Sequence, residues 1–186
     1  MRITSTAFAL NRPLVAASFA ALALSQFAAA DSFVGLKKMS LLPVLDRSVI
    51  LGAIDPNTPM HIAVSLNVPK LDALQARADA VSNPKSPLYH QFMTPEQVGL
   101  TYGLPTAQIQ AVTSYLRSNG LTVRNIAKNR MTIQVDGTAG QIQKAFQTQI
   151  SQFHAMSAEE NGRQDYYAFT KLPMVPLSLS SSVAQV

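Results

Sequence analysis

Residues 83–103, with the sequence NPKSPLYHQFMTPEQVGLTYG, carry the strongest structural signals in the chain. Pro84 and Pro87 fix their own φ angles and push the residues before them toward extended backbone, so the first half cannot be helical. The second half predicts a helix, because Thr94 and Gln97 have the spacing of a capping box and a proline occupies the first helical position between them.

Between these two signals lies a cluster of large side chains, in a segment that we call the aromatic turn (residues 83–93). Tyr89, Phe92 and Met93 fall within five residues of one another, with His90 among them. Because a rigid turn here leads straight into a capped helix, we expect the aromatic turn to be a buried hub of the fold.

Hydrophobic periodicity on either side of the aromatic turn predicts further strands and helices. The predicted elements are a strand over 60–68, a helix over 70–81, a short helix ending at Tyr102, a helix from Pro105 to Gly120, strands over 121–127 and 131–135, a helix from Thr138 and a strand over 149–154. Asp136-Gly137 is expected to break the second strand of the pair. Residues 165–169 could add an edge strand.

This order of elements predicts an α+β fold of the ferredoxin-like, split βαβ type. Its antiparallel sheet has helices packed on one face, which leaves the other face open to a partner. Pro173 and Pro176 require extended backbone near the end of the chain. We therefore expect an extended C-terminal tail.

The first 30 residues have the composition of a secretory signal peptide. Arg2 and Arg12 occur there without any acidic residue, followed by an apolar run over 14–24 and three closing alanines. The run is short for a membrane span, which needs about 20 residues. We expect cleavage after Ala30, secretion or delivery to the periplasm, and no membrane association afterwards.

The mature chain would keep 156 residues, enough for one core without disulfides. Gly and Pro interrupt its beginning, and polar residues with Asn161-Gly162 mark its last loop. The predicted parts are a signal peptide (1–30), an irregular N-terminal arm (31–57), a core domain (58–156) and a loop with an extended C-terminal linker (157–186).

Composition excludes several kinds of site. There is no cysteine, which rules out a thiol nucleophile and a thiolate metal site. His61, His90 and His154 match no metal-binding spacing, so neither a metal nor another cofactor is predicted.

Charge argues against nucleic acid. Loss of the two N-terminal arginines with the signal peptide lowers the formal net charge from +5 to +3. Arg124, Lys128 and Arg130 belong to one predicted hairpin, which is either simply solvated or a footprint for an acidic partner.

The aromatic turn and the helix after it resemble a known family, the activation domain of pro-kumamolisin and other sedolisins. These are secreted serine-carboxyl peptidases made with an N-terminal propeptide. The matching residues are Pro84, Ser86, Pro87, Tyr89, Phe92, Met93, Thr94, Glu96 and Val98. The resemblance runs from about residue 58 to residue 186, and it also implies the ferredoxin-like fold.

The resemblance implies a propeptide that acts as intramolecular chaperone and inhibitor of a sedolisin-type acid peptidase, in cis or in trans. The family's Ser-Gly-Thr-Ser nucleophile motif is absent, and residues 177–182 read LSLSSS without a glycine. Glu159, Glu160 and Asp165 lie in a polar setting typical of solvated charges. No catalytic residue is therefore expected in this chain.

Partner contacts are expected from the aromatic turn and from the tail. In the family, the matching tail precedes a linker that crosses the enzyme's cleft. The expected contact residues are Tyr89, Phe92, Met93, Tyr167, Pro173, Val175 and Pro176. His90 is the candidate pH switch, because histidine changes charge between about pH 5 and 8 and such peptidases mature in acid.

Two alternatives remain open. The chain could be a free-standing peptidase inhibitor or binding module that acts in trans. It could also be the N-terminal fragment of a larger peptidase precursor.

Overall fold

The structure is a computed structural model, and it describes residues 32–36, 39–43, 45, 48–155 and 165–186. The predicted signal peptide and the loop over 157–164 lie outside these residues. The helices are α1 (Leu71–Ser82), α2 (Pro95–Tyr102), α3 (Thr106–Ser118) and α4 (Ala139–Ala145). The strands are β1 (Phe33–Gly35), β2 (Ser48–Ala53), β3 (Pro59–Leu66), β4 (Thr122–Ile126), β5 (Thr132–Thr138), β6 (Gln149–Ala155), β7 (Asp165–Lys171), β8 (Met174–Pro176) and β9 (Val183–Gln185).

The main sheet is antiparallel with the strand order β4-β5-β3-β9. Alternation along β3 and β5 turns one set of side chains toward the helices. Apolar residues of the sheet, α3 and α4 form one core cluster with Phe146. Its fully buried members include Val64, Val112, Leu116, Ile133, Val135 and Ile142.

Two smaller sheets complete the described part of the chain. One has the order β2-β6-β7, and the other pairs β1 with β8. Both are antiparallel. The α+β class predicted from the sequence is therefore confirmed.

Local signals predicted the helices well. Thr94 with Gln97 and Thr138 with Gln141 form complete capping boxes at α2 and α4. Gly120, which follows the C-cap residue Asn119 of α3, has a φ of 81°, the left-handed conformation that glycine favours.

The expected break at Asp136-Gly137 is wrong, because β5 continues through both residues. Asp136 lies opposite His61 and Gly137 lies opposite Met60 on β3. The side chain of Leu121 occupies the space where a Cβ of Gly137 would be. This glycine therefore permits close packing within a strand instead of ending it.

The ferredoxin-like arrangement differs at its fourth strand. That topology places residues 149–154 beside β3, but β6 pairs instead with β2 and β7. The neighbour of β3 on that side is β9, which pairs only with Ser65 and Leu66. Both edges of β6 are already paired, one with β2 and the other with β7. β6 therefore does not join the main sheet beside β3.

Segments predicted as an arm and a linker contribute to the core. Leu36 and Ile54 from the first segment are buried, as are Val175, Leu179 and Val183 from the last. The main-chain N–H of Asn67 also donates to the carbonyl of Ser182 at 2.9 Å. The described C-terminal residues are thus part of the fold.

Candidate partner-binding surface

The aromatic turn is held in one shape by its own hydrogen bonds. The main-chain N–H of His90 donates to the carbonyl of Val81 at the end of α1, at 3.0 Å. Arg77 reaches across from α1 and donates from Nη2 to the carbonyl of Gln91 at 2.8 Å. The side chain of Gln91 donates in turn to the carbonyl of Pro87 at 2.9 Å. The turn is therefore anchored to α1 at two points.

The aromatic turn is not the buried hub that the sequence predicted. Phe92 is 71% exposed and Tyr89 is 39% exposed, while Met93 is half-buried. Leu100, on the neighbouring helix α2, is 70% exposed. Hydrogen bonds to the main chain of the turn determine its shape, and burial of its rings does not. The rings therefore lie on the surface.

His90 lies between the two aromatic rings of this surface. Its imidazole stacks on Tyr89 with ring centroids 3.7 Å apart, and the Phe92 ring follows at 5.9 Å. Its φ of 59° is in the left-handed region, which is uncommon for residues other than glycine. This backbone conformation brings the three rings into one stack.

Helix α2 attaches the aromatic turn to the β4–β5 hairpin. Lys128 and Glu96 form an ion pair at 2.6 Å, which lowers the pKa of Glu96 mainly through the hydrogen bond from Lys128. Arg130 donates to the carbonyl of Leu104 at 3.3 Å, and Arg124 pairs with Asp136. The three cations of the hairpin therefore serve contacts within this chain.

The predicted contact residues of the tail differ in their exposure to solvent. Tyr167 on β7 is 48% exposed. Pro173, Val175 and Pro176 are almost fully buried, and β8 pairs with β1. A partner cannot touch these three side chains while the fold is intact, so what they contribute in this structure is packing.

The open face of the main sheet is polar and centres on Asp136. His61 contacts one carboxylate oxygen at 2.6 Å and Arg124 pairs with the other. The hydrogen bond from His61, followed by the charge of Arg124, lowers the pKa of Asp136. In the described part of the chain, the sheet face that the predicted fold leaves open to a partner is therefore polar.

A second cross-strand pair joins His154 of β6 to Asp165 of β7 at 2.6 Å. Asp165 begins β7, in agreement with the edge strand predicted over residues 165–169, but its carboxylate has a partner and is not simply solvated. Within the described ranges, histidine and carboxylate side chains form no cluster able to hold a metal ion. In the same part of the chain, no helix is long and apolar enough to cross a membrane.

Comparison with known proteins identifies the family. The model for the pro-kumamolisin activation domain matches residues 46–186. The chain belongs to this family. Its activation domain spans nearly all the strands and helices described above, including the aromatic turn and the buried tail.

Two relatives share this region. Xanthomonalisin from Xanthomonas sp. (strain T-22) is 35% identical over 144 residues, which cover 77% of this chain and 17% of the relative. Sedolisin from Pseudomonas sp. (strain 101) is 32% identical over 126 residues, or 68% of this chain and 20% of the relative. The chain thus spans a fifth or less of these relatives, at their N-terminal part. Its residues are those of the propeptide of sedolisin-type precursors and not of the catalytic domain.

Sequence reasoning missed two exposed apolar features. Leu100 adds to the surface of the aromatic turn, and its place on the outer face of α2 could have been found from helical periodicity. Val49, Ile50 and Leu51 of β2 are each about half exposed or more. These three consecutive apolar residues lacked the alternation that predicts a half-buried strand.

Proposed function

We propose that this chain is an exported propeptide that binds the catalytic domain of a sedolisin-type peptidase, assists its folding and inhibits it. It would perform no catalysis of its own. The observation that carries the proposal is the family match over residues 46–186, which includes the complete main sheet and its helices.

The exposed aromatic turn supports a role in docking. Phe92, Tyr89 and Leu100 present a large apolar surface on a backbone fixed by hydrogen bonds. Large aromatic side chains on a rigid surface make good interface anchors, because they bury much area and lose little conformational freedom. We propose that the main contact with the peptidase is made by this surface of the aromatic turn and Leu100. The half-buried Met93 would support it by packing.

The tail would have a mixed role. Tyr167 is exposed and available to the partner, so it remains a proposed contact residue. Pro173, Val175 and Pro176 would act indirectly, because they pack beneath the surface and keep the C-terminal segment in place.

Inhibition and assisted folding would be two results of one binding event. A propeptide that binds the folded peptidase and not its unfolded form stabilises the folded state by mass action. The same contact would obstruct substrate while it lasts. This mechanism works in cis or in trans.

The proposal includes export through the signal peptide over residues 1–30, with cleavage after Ala30. Mass spectrometry of the exported protein tests this part, and an N-terminus at Asp31 is expected. An intact Met1 on exported protein would contradict it.

The proposed function is tested by titrating the chain from Asp31 into an active sedolisin-type peptidase at about pH 6 and about pH 4. We expect saturable inhibition that weakens in acid, and a higher yield of active enzyme when unfolded peptidase is refolded with the chain present. Folded chain that neither inhibits nor assists refolding of several such peptidases would contradict the proposal.

A further inference from the structure

The second edge of β3 is open along most of its length. One edge pairs with β5 from Pro59 to Ser65. On the other edge, β9 pairs only with Ser65 and Leu66. No other strand in the described part of the chain pairs there, so residues 59–64 present an unoccupied edge. This is the place that a fourth ferredoxin-like strand would have filled.

An apolar groove of 420 Å³ runs beside this edge. Residues of β3 and β7 line it together with residues 39–42. None of the described residues that line it is charged. The lining includes Met39, Met60, Ile62, Tyr167, Phe169 and Val186.

β9 runs directly toward this groove. Val183 lies opposite Leu66 and Gln185 lies opposite Ser65, so the chain advances antiparallel to β3. Val186 already forms part of the groove lining. A strand in line with β9 would therefore lie opposite Val64, Ala63 and Ile62 in turn.

We propose that this groove binds an extended, uncharged polypeptide strand that continues β9 along the open edge of β3. The edge offers main-chain donors and acceptors, which give affinity in strand addition, and the apolar walls select the side chains. At about 3.4 Å per residue, the free length of β3 accommodates a strand of about six residues.

The strand has a defined chemistry. Apolar side chains at alternate positions would face Met60 and Ile62, while charged ones would lose hydration in a groove whose described lining offers no counter-charge. We assign the strand to the peptidase partner, and this assignment of its source rests on the proposed function. Capture of the strand itself does not depend on the peptidase.

The test lengthens the chain after Val186 by Thr-Val-Thr-Val-Thr, or by Gly-Ser-Gly-Ser-Gly as the matched control, and measures amide hydrogen exchange. Among residues 60–64, we expect exchange at the amides that point away from β5 to slow at least about tenfold with the first extension only. Equal exchange in the two folded proteins would overturn the proposal. Protection that appears at the edge of β2 instead would also overturn it.

A substitution in the groove separates this inference from the proposed function. Tyr167→Asp places a charge in the groove wall and should abolish the protection given by the Thr-Val extension, whereas Tyr167→Phe should keep it. Protection unchanged in Tyr167→Asp would overturn the assignment to this groove. The Thr-Val extension could protect the β3 amides while Tyr167→Asp still inhibits the peptidase as strongly as the unchanged chain. In that case the bound strand does not come from the peptidase. If the unchanged chain fails to inhibit, the proposed function fails while the exchange result stands.

Discussion

Gly99, in the middle of α2, lies directly against the main-chain carbonyl of Lys128 in the β4–β5 turn, so closely that a Cβ at Gly99 would overlap this oxygen. The helix that follows the aromatic turn is thereby seated on the hairpin without an intervening side chain. The ion pair between Glu96 and Lys128 lies at the same contact. The exposed aromatic surface therefore has rigid support from the main sheet.

We predict that Gly99→Ala destabilises the fold by about 1–3 kcal/mol, because the added methyl group forces backbone atoms apart. Chemical denaturation measures this change. Gly35→Ala is the matched control, since a Cβ at Gly35 meets no atom within 4 Å. Equal stability of the Gly99 variant and the unchanged chain would show that α2 does not need this close contact.

Asp136 should stabilise the fold over a defined pH range. Its pKa is lowered from the ordinary 3.8 by the hydrogen bond from His61 and by Arg124. A carboxyl group with a lowered pKa stabilises the fold when the pH is above the pKa that the group has in the unfolded chain. This stabilisation is lost as the pH falls through the pKa of the folded state. Asp136→Asn should therefore lower the Tm near neutral pH, and the difference should shrink only below about pH 3.8.

Thermal unfolding from about pH 7 to pH 3 measures this effect. Asp72→Asn removes a carboxylate from the first turn of α1, away from the sheet, and serves as the control. A difference for Asp136→Asn that stays constant across the whole range would contradict the electrostatic explanation.

Val175 tests whether the C-terminal segment is part of the fold. It is 1% exposed in the core, so Val175→Ala should cost about 1.5–3 kcal/mol. Leu177, which is 57% exposed, gives the control Leu177→Ala with little expected change. If both variants unfold like the unchanged chain, the tail is a detachable linker, as the sequence suggested.

His90 should make binding sensitive to acid. Protonation places a charge between Tyr89 and Phe92, with the Arg77 guanidinium bonded to the same turn, and a charge is costly to bury in an apolar interface. We predict that His90→Ala weakens the pH dependence of inhibition. His61→Ala on the polar sheet face is the control. An unchanged pH midpoint in His90→Ala would exclude the switch.

Much of the fold could be predicted because its signals are local. Capping boxes at Thr94 and Thr138, the glycine after α3 and the alternation of β3 each depend on neighbouring residues. These signals gave the helices, the central hairpin and the α+β class correctly.

The remaining features depend on contacts between distant residues. Periodicity identifies β6 as a strand but does not determine whether β3 or β2 becomes its partner. The aromatic turn shows the same limit, because a cluster of aromatic residues does not reveal which side faces the core. For Val175 and Pro176, extended backbone was predicted correctly, but their pairing with β1 and their burial were not.

The inhibition constant of Phe92→Ser against a sedolisin-type peptidase tests the central claim most directly. Phe92 is largely exposed, so the substitution should leave the Tm unchanged while inhibition weakens by about tenfold or more. Leu51→Ser removes a similarly exposed apolar side chain from β2 and should inhibit like the unchanged chain. Equal inhibition by Phe92→Ser and the unchanged chain would contradict docking through the aromatic turn.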